Sequence, residues 1–374
     1  MMMVLSVAPA YAGPAGFTTY DSQVITQGGQ VRAESISGTV TEIEKYGHAV
    51  TDITIAEMPF KFGDILTVTY DNGFTLDAPY LPDYFVDHGE YLVRGYQGHT
   101  YVAICVNYGK MNEVAGVGIG STVTISMKEK EGYLAQYEMY QLERTNDRND
   151  YSSDEVFANF RPINVGNIAD GTLYRSSSPV NPELGRAAYA SALAEQAGIA
   201  TFINLADSQE NIAEYFAAED FNSPYYKSVY DKGGVVCLSM PVSYTSADFK
   251  EKLGSGLIFM SEHKGPYLLH CNEGKDRAGF ASALLEALMG ASLDEIRYDY
   301  MTSYVNYYWV ERGSDKYNLI QTKHLDVMLC TIAGVDKGTD LNTVDLAKGA
   351  NDYMLSCGVS QAQIDAIKVS LSGN

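Results

Sequence analysis

Two patterns of hydrophobic and polar positions divide the chain. From about residue 30 to 130, apolar side chains recur at every second position in short runs. These are Thr39-Val40-Thr41-Glu42-Ile43, Ile65-Leu66-Thr67-Val68-Thr69-Tyr70 and Val123-Thr124-Ile125-Ser126-Met127, and Tyr101-Val102-Ala103-Ile104-Cys105-Val106 adds a continuous apolar run of strand length. A period of two marks strands with one buried face. Asp71-Asn72-Gly73 directly follows the second run and supplies a hairpin turn. Several short strands separated by turns predict a small all-β barrel or sandwich. From about residue 155 the pattern changes. Short apolar strands at 201–205, 234–238 and 266–270 alternate with helical stretches at 186–198, 211–219, 249–262 and 277–289, and further helices run from 292 to 371. That alternation predicts an α/β domain with a mostly parallel sheet flanked by helices. The polar Thr145-Asn146-Asp147-Arg148-Asn149-Asp150 lies between the two patterns. The division read from this is an all-β domain over 13–145, a linker over 146–155 and an α/β domain over 156–374.

The start of the chain adds a processing signal. An apolar run ends in Ala10-Tyr11-Ala12, which suits cleavage before Gly13, so residues 1–12 read as the remnant of a signal peptide. The expected location is secreted or cell-surface. No other run approaches ~20 apolar residues, so no integral membrane span is expected after signal removal. Lys plus Arg number 26 against 47 Asp plus Glu, a net charge of −21. That balance repels nucleic acid and anionic membrane, so nucleic acid is not an expected partner. Any anion site must gather its positive groups locally. The 29 tyrosines against one tryptophan read as surface and β-face tyrosine. Five cysteines, Cys105, Cys237, Cys271, Cys330 and Cys357, contain no C-x-x-C pair, so neither a zinc site nor any other metal site is expected. One disulfide is open to an exported chain, with Cys330 and Cys357 the nearest pair. An odd count leaves at least one free thiol, and that thiol needs a reason.

Cys271 supplies the reason. The strand Pro266-Tyr267-Leu268-Leu269-His270 runs into Cys271-Asn272-Glu273-Gly274-Lys275-Asp276, and a helix opens at Arg277. Backbone N–H groups in a tight loop at a helix N-terminus favour an anion. Gly274 lets the backbone turn without a side chain in the way. Arg277 offers a planar fork that matches phosphate oxygens. The same field brings a thiol from about 8.5 towards roughly 3.5–7.5, which makes thiolate available at neutral pH. A thiolate beneath a phosphate cradle is the arrangement for covalent phosphoryl transfer, and it calls for no cofactor.

The string His270-Cys271-x5-Arg277 resembles the signature of the protein tyrosine phosphatase superfamily. HCNEGKDR is most similar to the H-C-x-x-G-K-D-R loop of the bacterial tyrosine and lipid phosphatases. The resemblance extends over about residues 155–372, through Asn159-Phe160-Arg161, Leu173-Tyr174-Arg175-Ser176-Ser177, Asn204-Leu205 and Asp299-Tyr300-Met301-Thr302-Ser303. It implies a cysteine-phosphatase-like fold with Cys271 as nucleophile and Arg277 and the loop amides as phosphate ligands. Asp276 is implied as general acid, and Lys275 as a second cation associated with phosphoinositides or broad specificity. His270 is implied to orient the loop and tune the thiolate. Asn272, Glu273, Gly274 and Ala278 complete the implied substrate-binding set. Glu273 is read as a solvated loop residue and Asp299 as a bracing contact. Three positions depart from the family. Ala278 stands where Thr or Ser assists the leaving cysteine. Ala206-Asp207 follows the strand motif in place of Arg. Met240-Pro241-Val242 stands where related enzymes carry a W-P-D acid. The acid is then Asp276, with Asp207 and Asp248 as alternatives, or it is dispensable for an activated leaving group. The implied activity is a metal-independent phosphomonoesterase working through phosphocysteine on a phosphorylated protein, lipid or small molecule, with phosphotyrosine or phosphoinositide first. A phytase-like inositol phosphate phosphatase and a phosphate-binding pseudophosphatase are the alternatives.

The β region has its own resemblance. Gly38-Thr39-Val40 through Tyr46-Gly47-His48-Ala49-Val50-Thr51-Asp52-Ile53, and Ala103 through Val123, are similar to the C-terminal β-barrel of the S-adenosylmethionine hydrolase family. The likeness implies a fold and no adenosyl chemistry. His48 replaces an Asn of that family's pattern and is read as a β-edge histidine.

Overall fold

The computed structural model describes residues 35–87 and 89–373. The expectation of a signal remnant at 1–12 falls outside them. Seven strands form a closed barrel: β1 (Ser35–Ile43), β2 (Ala49–Thr54), β3 (Ile65–Tyr70), β4 (Thr75–Leu81), β5 (Tyr91–Arg94), β6 (Tyr101–Val106) and β7 (Thr122–Glu129). Their order is β1-β2-β6-β5-β4-β3-β7, and β7 pairs back onto β1. Closure removes exposed edges, which an open sandwich would keep. Alternate residues such as Val40, Leu66, Val68, Val123 and Ile125 point inward and are buried. The Asp71-Asn72-Gly73 turn joins β3 to β4 with Thr69 opposite Thr75, and Gly73 takes φ +88°. The region is not purely β. Short helices at Met111–Ala115 and Leu134–Tyr140 belong to it.

The second unit is built on a five-stranded sheet. Its strands are β8 (Arg161–Ile163), β9 (Leu173–Ser176), β10 (Thr201–Asn204), β11 (Val235–Cys237) and β12 (Tyr267–His270), in the order β11-β10-β12-β9-β8. All pairs are parallel except β8 with β9. β12 is central, and all four of its residues are buried, as a parallel strand covered on both faces requires. The helix Arg277–Leu288 continues from it and is buried from Ala278 to Leu288. A helix apolar on every face must be enclosed, and here the sheet lies on one side and the helices Val327–Ala333 and Leu346–Ser356 on the other.

The stretch expected as a linker is packed onto this unit. Tyr151 is buried, and Arg186 NH2 donates to Thr145 O and to Tyr151 Oη. The Arg186 guanidinium also stacks over Phe157 and Tyr307. The polar sequence concealed this because one aromatic and a distant buried arginine supply the packing. Cys330 and Cys357 do not pair, and all five cysteines are free thiols. Among the described residues no helix is long and apolar enough to cross a membrane.

Candidate active site

The C-terminal ends of β9, β10 and β12 lie side by side, with His270 opposite both Asn204 and Ser176. Crevices at that edge of a parallel sheet are where ligands bind. The loop Cys271–Asp276 rises there, and its backbone is divided in a telling way. Asn272 O accepts from Ser178 N, Glu273 O from Tyr307 Oη and Asn159 Nδ2, Gly274 O from Arg175 and Asn159, and Lys275 O from Arg175. No N–H from Asn272 to Asp276 has an acceptor among the described residues. Buried backbone donors are normally paired. With the carbonyls tied outward, the amides remain for an anion. Gly274 takes φ +70°, and a Cβ there would stand 2.2 Å from Ser176 O. Glycine alone fits.

A buried ionic cluster holds this shape. Asp299 accepts from Arg161 Nε at 2.6 Å and pairs with Arg175 NH1 through its other oxygen. Arg175 then reaches Gly274 O at 2.8 Å, and Asn159 Nδ2 joins Ser303 Oγ to the loop. Burial acts to raise the Asp299 pKa, but the two guanidinium groups prevail and hold it well below the carboxylate range. Asp299 is thus a brace, and it acts on the loop through Arg175.

A cavity of about 200 Å³ opens over the loop and is lined by Cys271, Asn272, Glu273, Asp276 and Arg277, with Arg144, Glu183, Leu184 and Val242 forming the outer wall. Cys271 is 3 % exposed and lies at its floor. Arg277 NH1 donates to Met240 O at 3.0 Å, and its buried Nε has no hydrogen-bond partner among the described residues. The Met240-Pro241-Val242 segment therefore contributes a carbonyl and an apolar wall, and no acid.

Four expected site residues take other roles. His270 does not line the cavity. It is fully buried, edge-on to Phe202 and Tyr226, with neither ring nitrogen hydrogen-bonded. Burial, reinforced by Arg277, lowers its pKa to about 3, so it is a neutral core side chain. Ala278 is fully buried in the hydrophobic core and meets no substrate space. Gly274 shapes the loop and is not among the cavity's lining residues. Lys275 turns away as well. Its Nζ donates to Tyr308 Oη at 3.0 Å, lies over the rings of Tyr304 and Tyr308, and stands 3.3 Å from Glu273. Burial opposes that charge, but Asp276, Glu273 and Tyr308 outweigh it and keep the pKa above the lysine range. Glu273 is not a solvated residue. It sits between Lys275 and Arg144, 2.7 Å from the latter.

Of the three candidate acids, Asp276 alone lines the cavity, and its side chain is 45 % exposed. Asp207 is buried and is not among the lining residues. Its carboxylate accepts from Asn204 Nδ2 and Tyr215 Oη, and burial raises its pKa against the pull of those bonds and of Arg277. Asp248 pairs with Lys252 on an exposed helix face away from the cavity lining. Arg144 is the residue that sequence reasoning missed. It lies in an aperiodic polar stretch, and no local signal marks it.

The profile of the tyrosine phosphatase family matches residues 157–372. The chain belongs to that family. Every brace of the loop described above falls inside the matched span, whereas Arg144 and the barrel lie outside it. No curated protein matches the chain. Among solved structures it is similar to the crystal structure of an uncharacterized conserved protein from Thermotoga maritima, at 26% identity and a TM-score of 0.22. That likeness covers 24% of this chain and 35% of that one, so the chain spans about a third of its length, and no argument rests on it.

A larger cavity, about 890 Å³, is lined by residues between Glu44 and Lys110 of the barrel unit and includes none of these loop residues. A hydrogen-bonded line crosses its lining from His48 through Tyr84 and Arg94 to Glu44. His48 is thus buried in that line just before β2, and is no edge residue. The nearby Cys105 thiol is pushed up to about 12 by burial, so it is no nucleophile.

Proposed function

We propose that the chain is a cysteine-dependent phosphomonoesterase that needs no metal. The observation that carries this is the loop backbone, with every carbonyl from Asn272 to Lys275 bound from outside and the amides from Asn272 to Asp276 unpaired above Cys271. The phosphate of the substrate is held by those amides and by Arg277. Cys271 Sγ, as thiolate, attacks phosphorus, and an S–P bond forms as the P–O bond to the leaving group breaks. The leaving oxygen takes its proton from Asp276, the carboxyl on the cavity wall. Water then gives a proton to the Asp276 carboxylate as it attacks phosphorus, the S–P bond breaks, and the thiolate returns with release of inorganic phosphate. Ala278 provides no hydroxyl to the leaving sulfur, so this second step is the slower one. The substrate class is phosphotyrosine or phosphoinositide, and the apolar run ending in Ala10-Tyr11-Ala12 supports a secreted or cell-surface location.

The test is hydrolysis of p-nitrophenyl phosphate with a chelator present, wild type against Cys271→Ser. Turnover by the wild type alone supports the reading. If both proteins are inert and the wild type still binds vanadate, the chain is a phosphate-binding pseudophosphatase instead.

A further inference from the structure

The second cation of the site is Arg144. Sequence reasoning assigns that role to Lys275, but Lys275 is committed to Tyr308, to Glu273 and to two aromatic faces. Arg144 lines the same cavity as Cys271 and Arg277. Its NH2 stands 2.7 Å from Glu273 Oε1, its Nε has no hydrogen-bond partner among the described residues, and the side chain is 25% exposed. A guanidinium held at one nitrogen and open at another is oriented in advance for a carboxylate or phosphate. Glu273 does not cancel it, because that single carboxylate is shared with Lys275.

The charges around the cavity limit what Arg144 receives. Its lining carries Arg144 and Arg277 against Glu183, Glu273 and Asp276. A polyphosphorylated ring would press several dianions onto those three carboxylates, whereas one additional carboxylate meets one open guanidinium. Leu184 and Val242 complete the wall with apolar surface that suits an aromatic ring. We propose that Arg144 is a specificity-determining residue that binds an acidic side chain next to a phosphotyrosine, so that the preferred substrate is a phosphotyrosine peptide with an acidic neighbour. This inference rests on the phosphatase reading above and deepens it. Arg144 lies outside the span matched by the family, so the selectivity belongs to the segment that follows the barrel.

The experiment compares kcat/KM for two phosphotyrosine peptides that differ only in flanking Glu or Gln, using wild type, Arg144→Ala and Arg144→Glu. A charge-assisted contact predicts that wild type favours the Glu peptide about tenfold, mainly through KM. Arg144→Ala is expected to bring the ratio near one. Arg144→Glu is expected to reverse it and to favour a third peptide with flanking Lys, a reversal that a merely structural role would not produce. No preference in the wild type overturns the inference, as does a preference that persists in Arg144→Ala. Faster turnover of a soluble short-chain phosphoinositide than of the Glu peptide also overturns it, in favour of a lipid substrate. Parallel turnover of p-nitrophenyl phosphate separates the two levels. If the wild type fails there, the phosphatase reading falls. If it succeeds and the peptide ratio is flat, only the role of Arg144 falls.

Discussion

Acid should destabilise this fold through His270, and the size of the effect follows from its burial. The imidazole is fully buried without a hydrogen bond, and its folded pKa is about 3 against an ordinary 6.5. Below pH 6.5 the unfolded chain takes up a proton that the folded chain refuses until near pH 3. Stability therefore falls as pH drops through that window, at up to about 1.4 kcal/mol per pH unit. Between pH 7 and pH 5 the loss from this one residue is about 2 kcal/mol. His270→Asn removes the titration. The assay is urea unfolding of wild type and variant at pH 7 and at pH 5. The lowered pKa values of His48 and His324 act in both proteins and cancel in the difference. The wild type should lose about 2 kcal/mol more than the variant on acidification, whatever the variant's stability at pH 7. Equal losses would refute the neutral, buried imidazole, and with it the claim that His270 does not serve the thiolate as a cation.

Three further outcomes are expected. Gly274→Ala forces a Cβ into the left-handed region against Ser176, so it should cost about 1–3 kcal/mol in urea unfolding and weaken vanadate binding. Unchanged vanadate affinity would count against the loop geometry. Asp299→Asn strands two buried guanidinium groups and should cost about 3–5 kcal/mol. Because the Asp299 pKa is depressed, its contribution is present at neutral pH and is lost only as pH falls below about 4, so wild type and variant should converge in acid. Asp276→Asn should lower kcat on phenyl phosphate by about 10²–10⁴ while affecting the activated p-nitrophenyl ester far less. The same leaving-group pattern in Asp207→Asn, with Asp276→Asn unaffected, would transfer the acid role to Asp207.

The loop and its supports were readable because they are written in short strings. Asn159, Arg161, Arg175, Asp299 and Ser303 come from three separate motifs, yet all converge on the carbonyls of Glu273 and Gly274 or on the Asp299 brace. Three barrel strands, β1, β3 and β7, declared themselves by alternation, and β6 by a continuous apolar run. β2 and β4 did so less, because polar Thr51 fills a buried position of β2 and Ala78 to Leu81 of β4 are all buried, and β5 has only four residues. Side-chain direction was out of reach. Whether Lys275 faces the cavity depends on where Tyr304 and Tyr308 stand on a helix some thirty residues later. His270 reads as part of the motif, but its place on the central strand encloses it on both faces. Arg144 owes its position entirely to tertiary packing.

The charge balance explains why the backbone matters so much here. A chain of net charge −21 has to receive a phosphate, yet the lining of the cavity carries more carboxylates than guanidinium groups. Side-chain charge alone leaves no positive surplus beside Cys271. Loop amides and the N-terminus of Arg277–Leu288 supply fixed partial charges that need no cation. Such dipoles act only at short range, so they bind a phosphate already seated in the loop without drawing polyanions from a distance. Glu273 fits the same logic. Its carboxylate repels at long range, but by holding Arg144 and Lys275 it sets where the two nearby cations stand. Selectivity for a singly phosphorylated group with at most one acidic neighbour is the outcome that the proposed role of Arg144 predicts for such an arrangement.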